Sequence, residues 1–423
     1  MSAIRLSGLH SLKGEITIQG SKNAVLPIMA AALLHKGTTV ITNVPGIQDV
    51  FCMMGILEYL GCGISLSDHV LTIDTRNLTS MRIPALRVKQ MRSSVMLLGP
   101  LLGRLGEAVT SYPGGCSIGK RPIDLHLYAL RRLGAEIRAE GEQITASAAT
   151  LRGAQIDFRY PSVGATENAV MLAVAAEGVT RITGAAREPE IMELCRFLCQ
   201  MGAEIAGVGT EVLTIQGRRP LHDCTFSVAG DRIVAGTYLG AVMAAGGEVF
   251  LRQGPVLHMQ EVLPKVQQMG ARITESPEGI LIAMKQRPAP VKIQTGPYPA
   301  FPTDLQSVMM AVASVADGVS QIEETVFEGR FATAKELQKL GAHIIIEDNI
   351  AWVNGRPMLR GGLAEATDLR GGAALVVAGL AAGPETWIQG YGHICRGYED
   401  ICRDLAAVGA DIALVEELAA LKG

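Results

Sequence analysis

Apolar and polar positions alternate in blocks along this chain, and one short phrase keeps returning. It runs hydrophobic, two variable residues, hydrophobic, glycine, a small residue, a variable one and isoleucine. The copies span Leu57–Ile64, Leu130–Ile137, Leu198–Ile205, Val266–Ile273, Leu337–Ile344 and Leu405–Ile412. Their glycines, Gly61, Gly134, Gly202, Gly270, Gly341 and Gly409, lie 73, 68, 68, 71 and 68 residues apart. A second glycine ends an apolar run in each copy, at Gly37, Gly106, Gly178, Gly247, Gly318 and Gly383, before strand-like segments such as Thr39–Thr42. The spacing predicts six copies of one unit: apolar helix, glycine stop, strand, amphipathic helix, glycine cap, then two strands.

A single unit of that size buries too little apolar surface to fold alone, so several copies must share a core. Three per lobe give two α/β lobes, with the boundary between Asp223 and Gly230. The expected division is residues 22–229 for the first lobe, and residues 1–21 with 230–423 for the second. The strand-like segment Glu15–Gln19 precedes the first repeat and is expected to complete the sixth by joining the C-terminal lobe.

Composition narrows the class. Hydrophobic residues are 48% of the chain but aromatics only 4%, so Ala, Val, Leu, Ile and Met must build the core. With 38 Lys and Arg against 41 Asp and Glu, the net charge of −3 argues against a chain built to hold nucleic acid or an anionic membrane. The Met1–Gly8 start has no basic and apolar leader pattern, which points to the cytoplasm. Apolar runs such as Ala373–Ala382 fall short of the ~18–20 residues that cross a bilayer, so no membrane insertion is expected. The eight cysteines form no Cys-x-x-Cys pair, and Cys195 and Cys199, four apart on a predicted helix, read as packing; no metal site and no cofactor is expected.

Charge sits at the starts of the apolar helices: Lys22-Asn23, Arg92, Asp231-Arg232, Asp304 and Asp368-Leu-Arg370. Carboxylates there can be caps, and for Asp304 spacing leaves capping and chemistry open. Lys22, Arg92 and Arg370 oppose the helix dipole, a placement that suits an awaited anionic ligand. The densest feature is Tyr112-Pro-Gly-Gly-Cys-Ser-Ile-Gly-Lys-Arg-Pro-Ile-Asp124, between a predicted strand over 108–111 and a helix over 123–133. Cys116 stands among glycines with Lys120 and Arg121 close by, a setting that stabilises a reactive thiolate. Gly114, Gly119 and Lys120 have P-loop spacing, but Arg121 replaces the hydroxyl that would hold magnesium. No His-Glu-x-x-His helix exists. His393 reads as a structural hydrogen-bonding residue, and Arg396, taken by itself, as an exposed cation.

These motifs together resemble the UDP-N-acetylglucosamine 1-carboxyvinyltransferases, enolpyruvyl transferases that open bacterial peptidoglycan synthesis. The likeness rests on Gly20-Ser-Lys-Asn23, Pro113–Leu125, Ser162-Val-Gly-Ala-Thr-Glu-Asn168, Tyr298–Gln306, Phe327-Glu-Gly-Arg-Phe331, Asp368-Leu-Arg370 and Arg396-Gly-Tyr-Glu399. The cysteine loop separates this group from the shikimate-pathway relative. The resemblance implies a two-lobed inverse α/β barrel with six βαβαββ-type repeats, three per lobe. It implies transfer of the enolpyruvyl group of phosphoenolpyruvate to the 3-hydroxyl of UDP-N-acetylglucosamine, with phosphate released and the lobes closing on the substrates.

Carried over position by position, the resemblance sets Lys22, Arg121 and Arg396 around phosphoenolpyruvate, with Arg92 and Arg370 nearby. Asn23, Arg121, Pro122, Ile123, Asp124, Leu125, Pro161, Ser162, Val163, Gly164, Asp304 and Val326 correspond to the nucleotide-sugar site, and Arg330 and Asp368 join the substrate-binding set. Asp304 takes the hydroxyl proton, and Cys116 is the proton donor and the residue alkylated by fosfomycin. A donor must be a thiol while cations favour thiolate, and bound anionic phosphoenolpyruvate raises the thiol pKa again. The chain departs from the family pattern at Gly329 for asparagine, at Phe331-Ala-Thr-Ala, which lacks a methionine and a histidine, at Cys395 for aspartate and at Ala300 for glycine. Those departures leave open a non-catalytic or altered-substrate paralogue that binds UDP-sugars. A nucleic-acid enzyme like the RNA 3-phosphate cyclases, also built from related repeats, is disfavoured by the near-neutral charge. The oligomeric state is not readable from the sequence.

Overall fold

A computed structural model describes residues 2–113, 118–119, 121–383 and 385–416. It divides into two compact units, Gly20–Gly115 with Arg121–Ala229, and Met1–Gln19 with Gly230–Gly423; Ile118 and Gly119 group with the latter.

The recurring phrase is a helix stop. In all six copies the small residue after the glycine donates its N–H back to the carbonyl of the first hydrophobic residue: Cys62 to Leu57, Ala135 to Leu130, Ala203 to Leu198, Ala271 to Val266, Ala342 to Leu337 and Ala410 to Leu405, at 2.9–3.3 Å. The glycines between them all take left-handed φ, from 95° at Gly341 to 109° at Gly202, which costs a residue with a Cβ. Both hydrophobic positions of each copy are buried. One phrase therefore anchors the helix to the core, ends it and launches the next strand at the isoleucine.

Each unit contains three sheets, mixed except for the one on Glu107–Ser111, whose strands are all antiparallel. In the 20–229 unit these are built on Thr38–Thr42, Glu107–Ser111 and Val179–Thr183; in the other, on Gly247–Arg252, Val319–Glu323 and Thr386–Gln389. Strands such as Ile350–Asn354 alternate buried and exposed residues, so one sheet face packs on the core and the other meets solvent. The cores are the apolar helices: Lys22–Ala31, Leu98–Leu105 and Val163–Ala175 in one unit, Arg232–Ala245, Gln306–Ala313 and Leu369–Leu380 in the other. The last of these is buried at all twelve positions, as a helix apolar on every side must be. Small residues let these helices approach: a Cβ on Gly240 would stand 2.6 Å from Val308 Cγ1.

The N-terminal strands correct the expectation for the sixth repeat. Ala3–Ser7 is the strand that completes it, antiparallel to both Thr386–Gln389 and Asp411–Val415. Leu12–Thr17 instead runs parallel to Gly247–Arg252 of the fourth repeat. Both segments are short and carry two or three apolar residues, so periodicity alone does not select the partner. Gly247 is needed there, since a Cβ would lie 1.9 Å from the Leu12 carbonyl oxygen. No helix of the described residues is long and apolar enough to cross a membrane.

Candidate active site

In the 20–229 unit, the Lys22–Ala31 helix begins with its lysine buried, and Lys22 Nζ lies 2.8 Å from Asp49 Oδ2. Asp49 is itself 4% exposed and sits in the first turn of the Gln48–Tyr59 helix. The anion expected opposite Lys22 is thus partly supplied by the protein. Asn23 and Arg92 are half-buried beside the cores of their segments, while Arg121 and Pro122 are exposed and Ile123 is buried. Asp124 opens the Asp124–Arg132 helix and pairs with Arg159.

Pro161, Ser162, Val163 and Gly164 are half-buried at the start of the Val163–Ala175 helix. Ser162 caps that helix, its Oγ accepting from Ala165 N–H at 3.4 Å. As at any helix start, the N–H groups of Val163 and Gly164 face outward along the axis, where a phosphate oxygen is well received.

Three of these segments are tied together by Asn168. Its Oδ1 accepts from Gly99 N–H at 2.8 Å; its Nδ2 donates to the Val95 carbonyl at 3.0 Å and to His126 Nδ1 at 2.8 Å. His126 Nδ1 is then an acceptor, so the ring proton is on Nε2. Burial, reinforced by the Arg92 and Arg121 guanidinium groups, pushes His126 down to about 4 and keeps it neutral. Nearby, Glu167 is pushed up to about 8 by burial and by the carboxylates of Glu190 and Glu188.

Glu167 makes stability depend on pH. Its folded-state pKa lies above the unfolded value, so the folded chain binds the extra proton. Stability is full below the unfolded value of 4.5 and is lost as pH rises through about 8. We expect the melting temperature to fall between about pH 5 and 8 and Glu167→Gln to flatten that fall; an identical slope in the variant would contradict the assignment.

In the other unit, Asp304 lies on the short Thr303–Leu305 turn that leads into the Gln306–Ala313 helix. Arg330 Nη2 bonds Asp304 Oδ1, and Arg370 donates to Asp304 Oδ2 from Nε at 3.3 Å and from Nη2 at 3.1 Å. Both arginine side chains are only 5% exposed. Burial works against the charge on Arg370, but Asp304, Tyr398 and Asp231 outweigh it and its pKa rises. Its Nη1 is buried and finds no hydrogen-bond partner among the described residues, an open cationic donor beside the carboxylate. Asp304 is thus ion-paired to two guanidinium groups. Asp231 and Asp368 are the caps, accepting from Ile233 and Val234 and from Arg370 and Gly371.

Arg396 is half-buried in a loop held on both sides. Gln19 donates to the Gly397 carbonyl at 3.1 Å and accepts from Glu399 N–H at 2.9 Å, while the buried Tyr398 hydroxyl lies 2.7 Å from Thr237 Oγ1 and also meets Arg370. His393 is exposed on the Tyr391–Ile394 helix. Val326 donates its N–H to Glu324 Oε1 at 2.7 Å.

Cys116, with Gly114, Gly115, Ser117 and Lys120, lies outside the described residues. Of its loop, Ile118 accepts from Gly329 N–H at 3.0 Å. That contact uses backbone alone and so does not depend on the side chain at 329. Cys395 bonds the Tyr391 carbonyl through Sγ at 3.1 Å, a local contact within its own turn. Cys195 is buried in the core and Cys199 exposed. Among the described residues, no three His, Cys, Asp or Glu side chains are grouped to hold a metal ion.

The chain aligns with curated proteins over nearly its whole length. It is 45% identical over 419 residues, 98% of this chain and 100% of the other, to UDP-N-acetylglucosamine 1-carboxyvinyltransferase of Cellvibrio japonicus (strain Ueda107). It is 42% identical over 416 residues to UDP-N-acetylglucosamine 1-carboxyvinyltransferase 2 of Caldanaerobacter subterraneus subsp. tengcongensis, with the same coverage of both chains. The chain belongs to the UDP-N-acetylglucosamine 1-carboxyvinyltransferase family. The broader family model of EPSP synthase (3-phosphoshikimate 1-carboxyvinyltransferase) matches residues 6–405. Among solved structures, the enolpyruvyl transferase NikO from Streptomyces tendae superposes with a TM-score of 0.88 at 25% identity, covering 98% of this chain and 99% of that one. EPSP synthase from Acinetobacter baumannii shares the fold, with a TM-score of 0.76 at 20% identity over 98% of this chain and all of its own. The carboxyvinyltransferase therefore has the enolpyruvyl transferase fold.

Asp49 escaped the sequence reading, and Asn168 and Thr303 stood in quoted motifs without a role. Their partners lie 27, then 42, 69 or 73, and then 21 or 27 residues away, and no local spacing marks such pairs. Glu324 had one signal, its place two residues before Val326.

Proposed function

We propose that this carboxyvinyltransferase moves the enolpyruvyl group of phosphoenolpyruvate onto the 3-hydroxyl of UDP-N-acetylglucosamine in the cytoplasm, releasing phosphate, as the first committed step of peptidoglycan synthesis. The observation that carries the reading is Asp304 gripped by two buried arginines, one of which keeps a buried donor open.

In the addition step the sugar hydroxyl oxygen bonds to C2 of phosphoenolpyruvate. Its proton passes to Asp304, and Cys116 gives a proton to the methylene carbon. In the elimination step that carbon loses a proton, the double bond returns and the C2–O bond to phosphate breaks. Lys22, Arg92, Arg121, Arg370 and Arg396 are the cations for the phosphate and carboxylate charges, arranged before reaction so that little reorganisation is required. Asn23, the 121–125 and 161–164 segments and Val326 bind the nucleotide sugar, with the Val163 and Gly164 N–H groups suited to its diphosphate. Ion-paired to two cations, Asp304 is held as a carboxylate, the form a base requires. Arg370 drawn toward phosphoenolpyruvate would loosen that grip as the substrate arrives.

Phosphate release tests the reading. It is expected with phosphoenolpyruvate plus UDP-N-acetylglucosamine and not with phosphoenolpyruvate plus shikimate 3-phosphate; the reverse preference would overturn it.

A further inference from the structure

We propose that Glu324 is a positioning residue for Asp304, acting through the hydroxyl of Thr303 and the guanidinium of Arg330. The inference rests on the reading of Asp304 as base and goes beyond it by naming what holds that base in place.

Glu324 follows the Val319–Glu323 strand and is 5% exposed, a carboxylate buried with no role in the steps above. Its Oε1 accepts the N–H groups of Val326 at 2.7 Å and Phe327 at 3.0 Å. Its Oε2 accepts the Thr303 hydroxyl at 2.9 Å. An ionised carboxylate only accepts, so Thr303 must donate here and turn a lone pair elsewhere. That lone pair meets Arg330 Nε–H at 3.3 Å. Arg330 then reaches Asp304 with Nη2, its guanidinium carbon 5.4 Å from the Phe327 ring centre. The hydroxyl's direction is set at both ends.

One carboxylate thus serves two segments. It shapes the Val326–Phe327 turn assigned to the sugar, and through a single directed hydroxyl it fixes the fork that holds Asp304 Oδ1. Among the described residues, the charged groups around Asp304 include Arg330 and Arg370, and Arg370 is in turn faced by Tyr398 and Asp231. A polar chain of this kind, anchored on the buried Glu324 and Arg330, specifies geometry when every member is satisfied and loses it when one is removed.

Thr303→Val keeps the side-chain shape and removes the relay, whereas Thr303→Ser keeps the hydroxyl. In the full-length enzyme, Thr303→Val is expected to lower kcat about tenfold or more with the KM for phosphoenolpyruvate little changed, on the scale of one lost hydrogen bond to a charged group. The acidic limb of its kcat profile should move to higher pH, because a loosened Arg330 stabilises the Asp304 carboxylate less. Thr303→Ser should recover both. Glu324→Gln presents an amide donor to Thr303 and should shift the limb the same way while raising the KM for UDP-N-acetylglucosamine. Should that variant fail to fold, the Thr303 pair decides alone.

A wild-type kcat and pH profile in Thr303→Val, or Thr303→Ser no better than Thr303→Val, overturns the proposal even if thermal stability falls. Asp304→Asn separates the two readings. If it keeps full turnover, the base assignment falls and the brace with it. If it is inactive while Thr303→Val is unaffected, only the brace falls.

Discussion

Asp304→Ala is expected to lower turnover by about 10²–10⁴-fold while UDP-N-acetylglucosamine still binds, the range typical of losing a positioned general base. The binding expectation follows from the segments proposed for the sugar: 121–125 and 161–164 belong to a compact unit of their own and do not depend on this carboxylate for their fold. Turnover should suffer twice, since removal of the carboxylate also leaves Arg330 and Arg370 facing each other without the charge that both now grip. Asp304→Asn keeps the shape and some hydrogen bonding and isolates the loss of the base. Steady-state rates beside calorimetric titration of the nucleotide sugar separate chemistry from binding. Unchanged turnover in both variants would remove Asp304 from the mechanism.

Fosfomycin should inactivate the enzyme by adding one label, at Cys116, and Cys116→Ala should abolish it. A stoichiometry of one is a demanding expectation in a chain with eight cysteines. The buried thiols are poor competitors, because burial pushes Cys62, Cys195 and Cys402 up to about 12 and leaves them protonated. Cys199 is exposed and is the internal control. It lies near the end of the Pro189–Gln200 helix, none of whose residues is assigned to substrate. Peptide mass mapping after labelling decides: modification at Cys199, or none at all, would contradict the assignment of the reactive thiol.

The architecture was legible because the repeat is written in backbone terms. A glycine forced into left-handed φ, a small residue whose N–H closes the helix and two core-facing hydrophobics leave little choice of residue, so six copies kept one signature. The pairing of the first two strands was not legible. Leu12–Thr17 and Ala3–Ser7 can each present an apolar face to either sheet, and which one they join depends on the path of the whole chain. At the site, the charged residues were visible as interruptions of apolar helices, yet their pairing was not. Lys22 looked like a cation in want of an anion, and Asp49 stands 2.8 Å away. Glu324 and Thr303 looked like any strand end and any turn. Their function lies in the direction of a hydroxyl proton, which only three-dimensional neighbours determine.

The most direct test of the account is the mass of the nucleotide sugar after reaction with phosphoenolpyruvate. UDP-N-acetylglucosamine is expected to gain one enolpyruvyl group in place of a hydroxyl hydrogen, with one phosphate released for each molecule converted. Phosphate appearing while the nucleotide sugar keeps its original mass would show that phosphoenolpyruvate is hydrolysed rather than transferred, and would contradict the account.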